Sequence, residues 1–403
     1  MKLFKKISKL LFLSLLACLL ISIILYFFKP KLIENTAIHI LYPKVTIEKK
    51  YQNNYAIEIP KMNELMYIAC SLTNTFKNDS NLISNRVPKY LKDVNNHFSE
   101  YKNHKLVKLL ESKLKNNAYT QIQPTIRFFS LNYQINSDNV IVENEIFHVS
   151  ELLLKLFKDK IFYYPDYLEL IEDFAKKTNF NQFYEKNLPF YNKLITKFDK
   201  LCDVQGSWDF LEKRFEEKYS SYRIIFSPLT GGFHNTLPNL KDKKTGLQQA
   251  WLFVSAPPNL NSLTEEQLEL KKSQFTRELF TEMNHNYVNP LSEKFNNRIQ
   301  KTIKNYKFWN KRKSGYSSKS STFNEYMTWG IFSLYALENY SEKNSDSIIN
   351  RHQNFMIKTK KFIHFKEFNT KLIAISKNHK VDSLYFKNIY PDIFNWMENF
   401  SSK

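Results

Sequence analysis

Residues 275–295 read FTRELFTEMNHNYVNPLSEKF, and their spacing decides how the middle of the chain folds. At 100° per residue, Phe275, Leu279, Met283 and Tyr287 share one face of a helix, while Gln274, Glu278, Thr281, Glu282, His285 and Asn289 gather on the other. The start is marked upstream by Thr264 and Gln267, a T-x-x-Q capping box that satisfies free N–H groups at a helix N-terminus. The end is expected before Asn289-Pro290, because the residue preceding a proline is pushed out of the α region.

The polar face departs at one position from H-E-x-x-H, in which two imidazoles one turn apart hold zinc and the Glu polarises the metal-bound water. Glu282 stands at the base position and His285 at the second ligand position, but Thr281 replaces the first imidazole. A threonine hydroxyl is a poor zinc ligand at neutral pH. A stripe with one Glu and one His is also what a solvated helix face carries, so the spacing alone leaves both readings open.

Upstream, the period changes. Residues 222–226 and 250–254 are β-rich and are joined by the turn-prone Ser227-Pro228-Leu229-Thr230-Gly231-Gly232 and a Lys/Asp-rich connection, so two strands of a small sheet are expected. Residues 55–59 alternate like another strand and lead at Pro60 into a helix over 62–73, followed by a polar loop over 74–85. Helical patterns follow at 105–115, 149–157, 167–177, 188–202 and 208–219.

At the N-terminus, Lys2, Lys5, Lys6 and Lys9 precede nineteen uncharged residues, 10–28. As a helix this run rises roughly 28 Å, close to the ~30 Å hydrocarbon core of a bilayer. Secretory signals have shorter apolar stretches and a small-residue cleavage site, and none follows Phe28; a lipoprotein reading at Cys18 would leave ten largely apolar residues after the lipidated cysteine. The expectation is a cytoplasmic basic flank (1–9), a transmembrane anchor (10–28) and a tether (29–45), with the positive-inside rule sending the remainder out of the cytoplasm. That remainder divides into a lobe at 46–290 ending in the motif helix and a helical lobe at 291–403.

The net charge of +20 comes mostly from lysines scattered among Asn, Ile, Tyr and Phe, which argues against a nucleic-acid patch and leaves an anionic surface as a fitting neighbour. The segment 301–319 interleaves Lys311, Arg312 and Lys313 with Tyr306, Phe308, Trp309 and Tyr316; single-strand binders share that pattern, but outside the cytoplasm it reads as a loop. Three cysteines exclude a disulfide scaffold, and Cys70, in an apolar stretch, reads as a buried thiol. No nucleophile elbow, Walker loop or dinucleotide fingerprint is present.

The motif helix resembles the H-E-F-x-H-x-F-V-N-P signature of the bacterial family called domain of unknown function 4932, mostly Bacteroidetes envelope proteins. Ile59-Pro60-Lys61-Met62-Asn63-Glu64-Leu65, Tyr90-Leu91-Lys92-Asp93-Val94 and Ser227-Pro228-Leu229 with Gly231-Gly232 are similar to other parts of its pattern, so the resemblance covers roughly 57–400. The family resembles zincin metallopeptidases whose third zinc ligand is a downstream glutamate, which implies Glu325 in Thr322-Phe323-Asn324-Glu325. The same four residues also read as a capping box. After Glu325 this chain departs from its relatives with Trp329, Gly330, Ile331 and Phe332. His234, just past the glycine pair, is the candidate substitute for the missing imidazole; His39, His97, His104, His148, His352, His364 and His379 have no ligand spacing.

The expected fold is therefore α+β and predominantly helical, a zincin-like domain with a small sheet behind one transmembrane helix. The expected function is a membrane-anchored, extracytoplasmic metallopeptidase derivative impaired at Thr281, with zinc weakly held or absent. Two alternatives remain: a module that binds an extended peptide or the envelope in the old cleft, and an active zinc peptidase with a substitute ligand. Nucleic acid is not an expected partner.

Overall fold

The computed structural model describes residues 44–79, 81–144, 147–148, 165–232, 234–258, 260, 263–311, 316–379 and 385–402. The expected anchor at 10–28 and helix at 149–157 lie outside the described residues. Among the described residues no helix is long and apolar enough to cross a membrane.

The chain opens with strands β1 (Lys44–Val45) and β2 (Asn54–Glu58), then helices α1 (Lys61–Ser71), α2 (Asn74–Lys77), α3 (Pro88–Phe98) and α4 (Lys105–Asn132). Short strands β3 (Tyr133–Ile135), β4 (Ile141–Glu143) and β5 (Phe147–His148) precede α5 (Pro165–Lys177), α6 (Phe180–Leu201) and α7 (Val204–Arg214). Strands β6 (Ser221–Ile225), β7 (Asn235–Lys241) and β8 (Gln248–Phe253) lead into the motif helix, α8 (Glu265–Lys294). Helices α9 (Asn296–Thr302), α10 (Tyr306–Trp309), α11 (Lys319–Asn339), α12 (Glu342–Lys358), α13 (Phe365–Lys377) and α14 (Phe386–Ser401) complete a predominantly helical α+β fold with small sheets.

The main sheet has the order β2-β6-β8-β7, with β2, β6 and β8 parallel and β7 antiparallel at one edge. Its register aligns Ile57, Ile224, Leu252 and Thr236 across one face and Ala56, Arg223, Trp251 and Leu237 across the other. Because side chains alternate along a strand, Tyr222, Ile224, Ala250 and Leu252 join the main core, in which the apolar face of α8 also lies. The Tyr222 hydroxyl reaches the Tyr287 hydroxyl at 2.8 Å. The opposite face buries Ile225, Trp251 and Phe253 with Leu131 and Leu237 in a second, smaller core. There Arg223 pairs with Glu58 and stacks on Trp251, its guanidinium carbon 4.1 Å from the ring centre.

The expected strands at 222–226 and 250–254 correspond to β6 and β8, and the capping box of Thr264 and Gln267 is present. The expectation that α8 ends before Asn289-Pro290 is corrected: the helix runs on to Lys294 with Pro290 inside it. Proline removes the N–H that would bond the carbonyl four residues back, and the Tyr219 hydroxyl donates to that Asn286 carbonyl instead, at 3.4 Å. The connection expected between β6 and β8 holds an unforeseen strand, β7, which contains Pro238 and shifts register between Leu237 and Leu240. An edge strand with a bulge is where a strand tolerates proline.

The segment 301–319, expected as a loop, contains α10. Trp309 is 1% exposed and packs edge-on against Tyr326, with ring centres 5.4 Å apart. Its aromatic content therefore belongs partly to the core. Cys70 and Cys202 are both buried free thiols.

Candidate functional site

Two helices make the site. The Asn284 amide of α8 donates to the Thr328 carbonyl of α11 at 2.9 Å, and Phe280 packs on Phe332 and Tyr335, which locks the helices together at the level of the motif. This crossing brings His285 Nε2 to 3.4 Å from Glu325 Oε1. The other carboxylate oxygen of Glu325 accepts from the Trp329 indole N–H at 2.8 Å, and His285 Nδ1 lies 3.4 Å from the Thr328 hydroxyl. Both side chains are thus oriented from behind, the arrangement that fixes ring and carboxylate directions in ligand sites.

The capping-box reading of Thr322 and Glu325 is corrected. The box that starts α11 is Ser318 with Ser321, one turn earlier, while the Thr322 hydroxyl donates to the Tyr316 carbonyl. Glu325 is 3% exposed and faces α8 rather than the helix end.

Thr281 is 1% exposed, and its hydroxyl lies 3.0 Å from the Arg277 carbonyl and 3.2 Å from the Glu278 carbonyl, within its own helix. That back-bonding commits its proton and turns the oxygen onto the backbone. Two donors each about 2.0–2.1 Å from a tetrahedral zinc sit roughly 3.3–3.4 Å apart, so His285 and Glu325 match two corners of such a site. The third position holds this committed hydroxyl, and among the described residues no group of three or more His, Cys, Asp or Glu side chains is placed to hold a metal. The described residues do not complete a zinc site.

Glu282, three residues before His285 on α8, is close enough to His285 and Glu325 to feel both charges. Burial pushes its carboxyl up to about 7, helped by Glu325 and opposed by the charges of His285, Lys360 and Arg127. A carboxyl that titrates near neutrality has the property required of a general base.

His234 takes a different place from the one its candidacy required. It sits just before β7 with Nε2 2.5 Å from the Ser255 hydroxyl and 3.8 Å from Glu278 Oε2. Burial pushes it down to about 4 against the pull of Glu278, so at neutral pH it is an uncharged imidazole. Glu278, one turn before Glu282, in turn holds Arg86 in a two-bond pair of 3.0 and 2.8 Å, and Arg86 also donates to the Ala256 carbonyl at 3.0 Å. Arg86 and Glu278 carried no signal in the sequence beyond Glu278's position on the polar stripe. Ser255 and Ala256 follow β8 and His234 precedes β7, so this charged group lies at the carboxyl ends of the parallel strands, where α/β sheets open their crevices.

The family described as domain of unknown function (DUF4932) matches residues 55–395 of the chain. No curated protein and no solved structure matches it.

Proposed function

The chain belongs to the family of domain of unknown function 4932, and from that premise we propose that its domain is a zincin-like metallopeptidase derivative with an impaired catalytic cleft. The observation that carries this reading is the meeting of His285 Nε2 and Glu325 Oε1 at 3.4 Å, one turn from Glu282. These are the second-ligand, third-ligand and base positions of the degenerate motif. The impairment rests on Thr281, whose hydroxyl is spent on its own helix.

Edge strand β7 favours a second reading, in which an extended peptide is bound without hydrolysis. Thr236 of β7 lies 2.8 Å from the Asn286 side chain, next to His285, and a strand edge beside a cleft is a surface on which a peptide can add as a further strand. A third reading, an active enzyme with His234 as substitute ligand, requires His234 to leave Ser255 and Glu278.

Elemental analysis of the domain from about residue 31, prepared without chelator or histidine tag, tests the leading reading. The expected content is well under one zinc per chain. Tightly held stoichiometric zinc would overturn the impairment and favour the third reading.

We also propose that residues 10–28 anchor the chain, with its bulk outside the cytoplasm. The intact N-terminus is expected in membrane fractions, with the domain cleaved by protease added from the outer side only. A soluble mature form beginning near residue 29, or lipid on Cys18, contradicts this.

A further inference from the structure

A buried carboxyl that the motif does not use lies on α1. Glu64 is 0% exposed, and so is Ser227, in the turn that follows β6. The Tyr90 hydroxyl of α3 donates to Glu64 Oε1 at 2.6 Å and lies 2.7 Å from the Tyr191 hydroxyl of α6. Because Tyr90 has one proton and gives it to Glu64, Tyr191 is the donor in the second bond. The other oxygen, Glu64 Oε2, is enclosed without a hydrogen-bond partner.

No charge compensates this acid. Tyr90 comes from α3, Tyr184 and Tyr191 from α6, and Ser227 from the turn, while α4 presents the Ser130 hydroxyl to the neighbouring Asn63. The nearest charged residues in the sequence are engaged elsewhere, Lys61 with Glu185 and Glu58 with Arg223. A carboxylate enclosed without a cation is disfavoured by desolvation, and burial pushes Glu64 up to about 7 against the pull of Tyr90 and Ser227. With Oε1 accepting from Tyr90, the proton belongs on Oε2.

The turn beside Glu64 supports the edge of the cleft. Ser227 Oγ accepts from the Leu229 N–H at 3.0 Å, the Ser84 N–H donates to the Leu229 carbonyl at 2.9 Å, and the Gly231 N–H donates to the Leu82 carbonyl at 3.1 Å. The Gly231 carbonyl accepts from the Ser255 hydroxyl at 2.5 Å, and that hydroxyl also meets His234. Glu64 is thus joined through one short turn to His234 and its neighbour Glu278.

We propose that Glu64 is a proton-operated latch: protonated, it holds α1 against the turn at 227–231, and ionised, it loosens that turn and the cleft edge resting on it. The latch depends on neither Thr281 nor any metal.

The first test needs no variant. Carbon-13 NMR of the Glu64 side-chain carboxyl in the natural chain should show a midpoint near 7, and a midpoint near the ordinary value of about 4.3 overturns the proposal. A carboxyl raised in the folded state gives stability that is complete below the unfolded value and is lost as pH rises through the folded one. Glu64→Gln keeps an acceptor for Tyr90 and stays uncharged. The unfolding constant of the natural chain divided by that of the variant, from urea titrations, should therefore rise on the order of 300-fold between about pH 4 and pH 8. Hydrogen exchange reads the turn itself. The Ser84 and Gly231 amides should lose protection in the natural chain, relative to the variant, by about tenfold between about pH 6 and pH 8. A flat ratio of unfolding constants, or amides that follow the same pH course in both chains, overturns the latch.

Discussion

Thr281→His is expected to raise zinc affinity by about 100–1,000-fold, the scale of one added ligand when a complete structural site contributes roughly 10–16 kcal/mol. The substitution puts imidazoles at i and i+4 on one helix face, and the second of them, His285, already lies 3.4 Å from Glu325. It also removes the hydroxyl that now donates to the Arg277 carbonyl. Because Thr281 is 1% exposed, the larger ring must turn into the cleft, and circular dichroism of the metal-free variant checks that it folds. Zinc should then raise the melting temperature of the variant far more than that of the natural chain.

Two companions make the result readable. Glu325→Gln in the repaired background should lose most of the gained affinity, because a neutral amide replaces the carboxylate corner. Glu282→Gln should keep the metal while removing the base for any hydrolysis that the repair creates. A folded Thr281→His chain that binds zinc no better than its parent means that the three positions do not converge. The zincin reading would then lose its main support, and α8 would be an ordinary amphipathic helix.

What the sequence could and could not reveal follows from the range of each interaction. The start and apolar face of α8 were legible because capping and periodicity are local, and Thr264, Gln267, Leu279 and Met283 carry both signals within two dozen residues. Its end was misread because the group that makes Pro290 tolerable, the Tyr219 hydroxyl, comes from a distant part of the chain. Strand β7 was missed for a related reason: Pro238 argues against a strand until its place at a bulged sheet edge is known. Glu325 stood out through the family resemblance, yet its competing role as a cap was excluded only by seeing Ser318 and Ser321 close the helix. The pair of Arg86 and Glu278, 192 residues apart, left no trace in either local sequence.

That pair has the second large expected effect. Arg86→Met should destabilise the fold by about 2–4 kcal/mol at neutral pH, somewhat below the usual loss for one partner of a buried ion pair because roughly a quarter of each side chain reaches solvent. In the natural chain, burial raises the Glu278 carboxyl, but Arg86, His234 and Arg277 together hold it below the ordinary value. A depressed carboxyl contributes stability above its unfolded pKa of about 4.3, and that contribution fades as pH falls through the lower folded value. Without Arg86 the burial cost is uncovered and the folded pKa rises, so the ionised carboxylate opposes folding at neutral pH. Lowering the pH should therefore relieve the variant while it weakens the natural chain, and the gap in urea midpoints should narrow toward pH 4. His234 supplies an internal check. Arg86 is one of the charges that now depress it, so in the variant its titration, followed by NMR, should move upward from about 4 as it becomes the remaining close partner of Glu278. A stability gap that is constant between pH 4 and 7, with His234 unmoved, would mean that Arg86 acts by filling space and by its bond to Ala256, and that Glu278 carries no buried charge at the edge of this cleft.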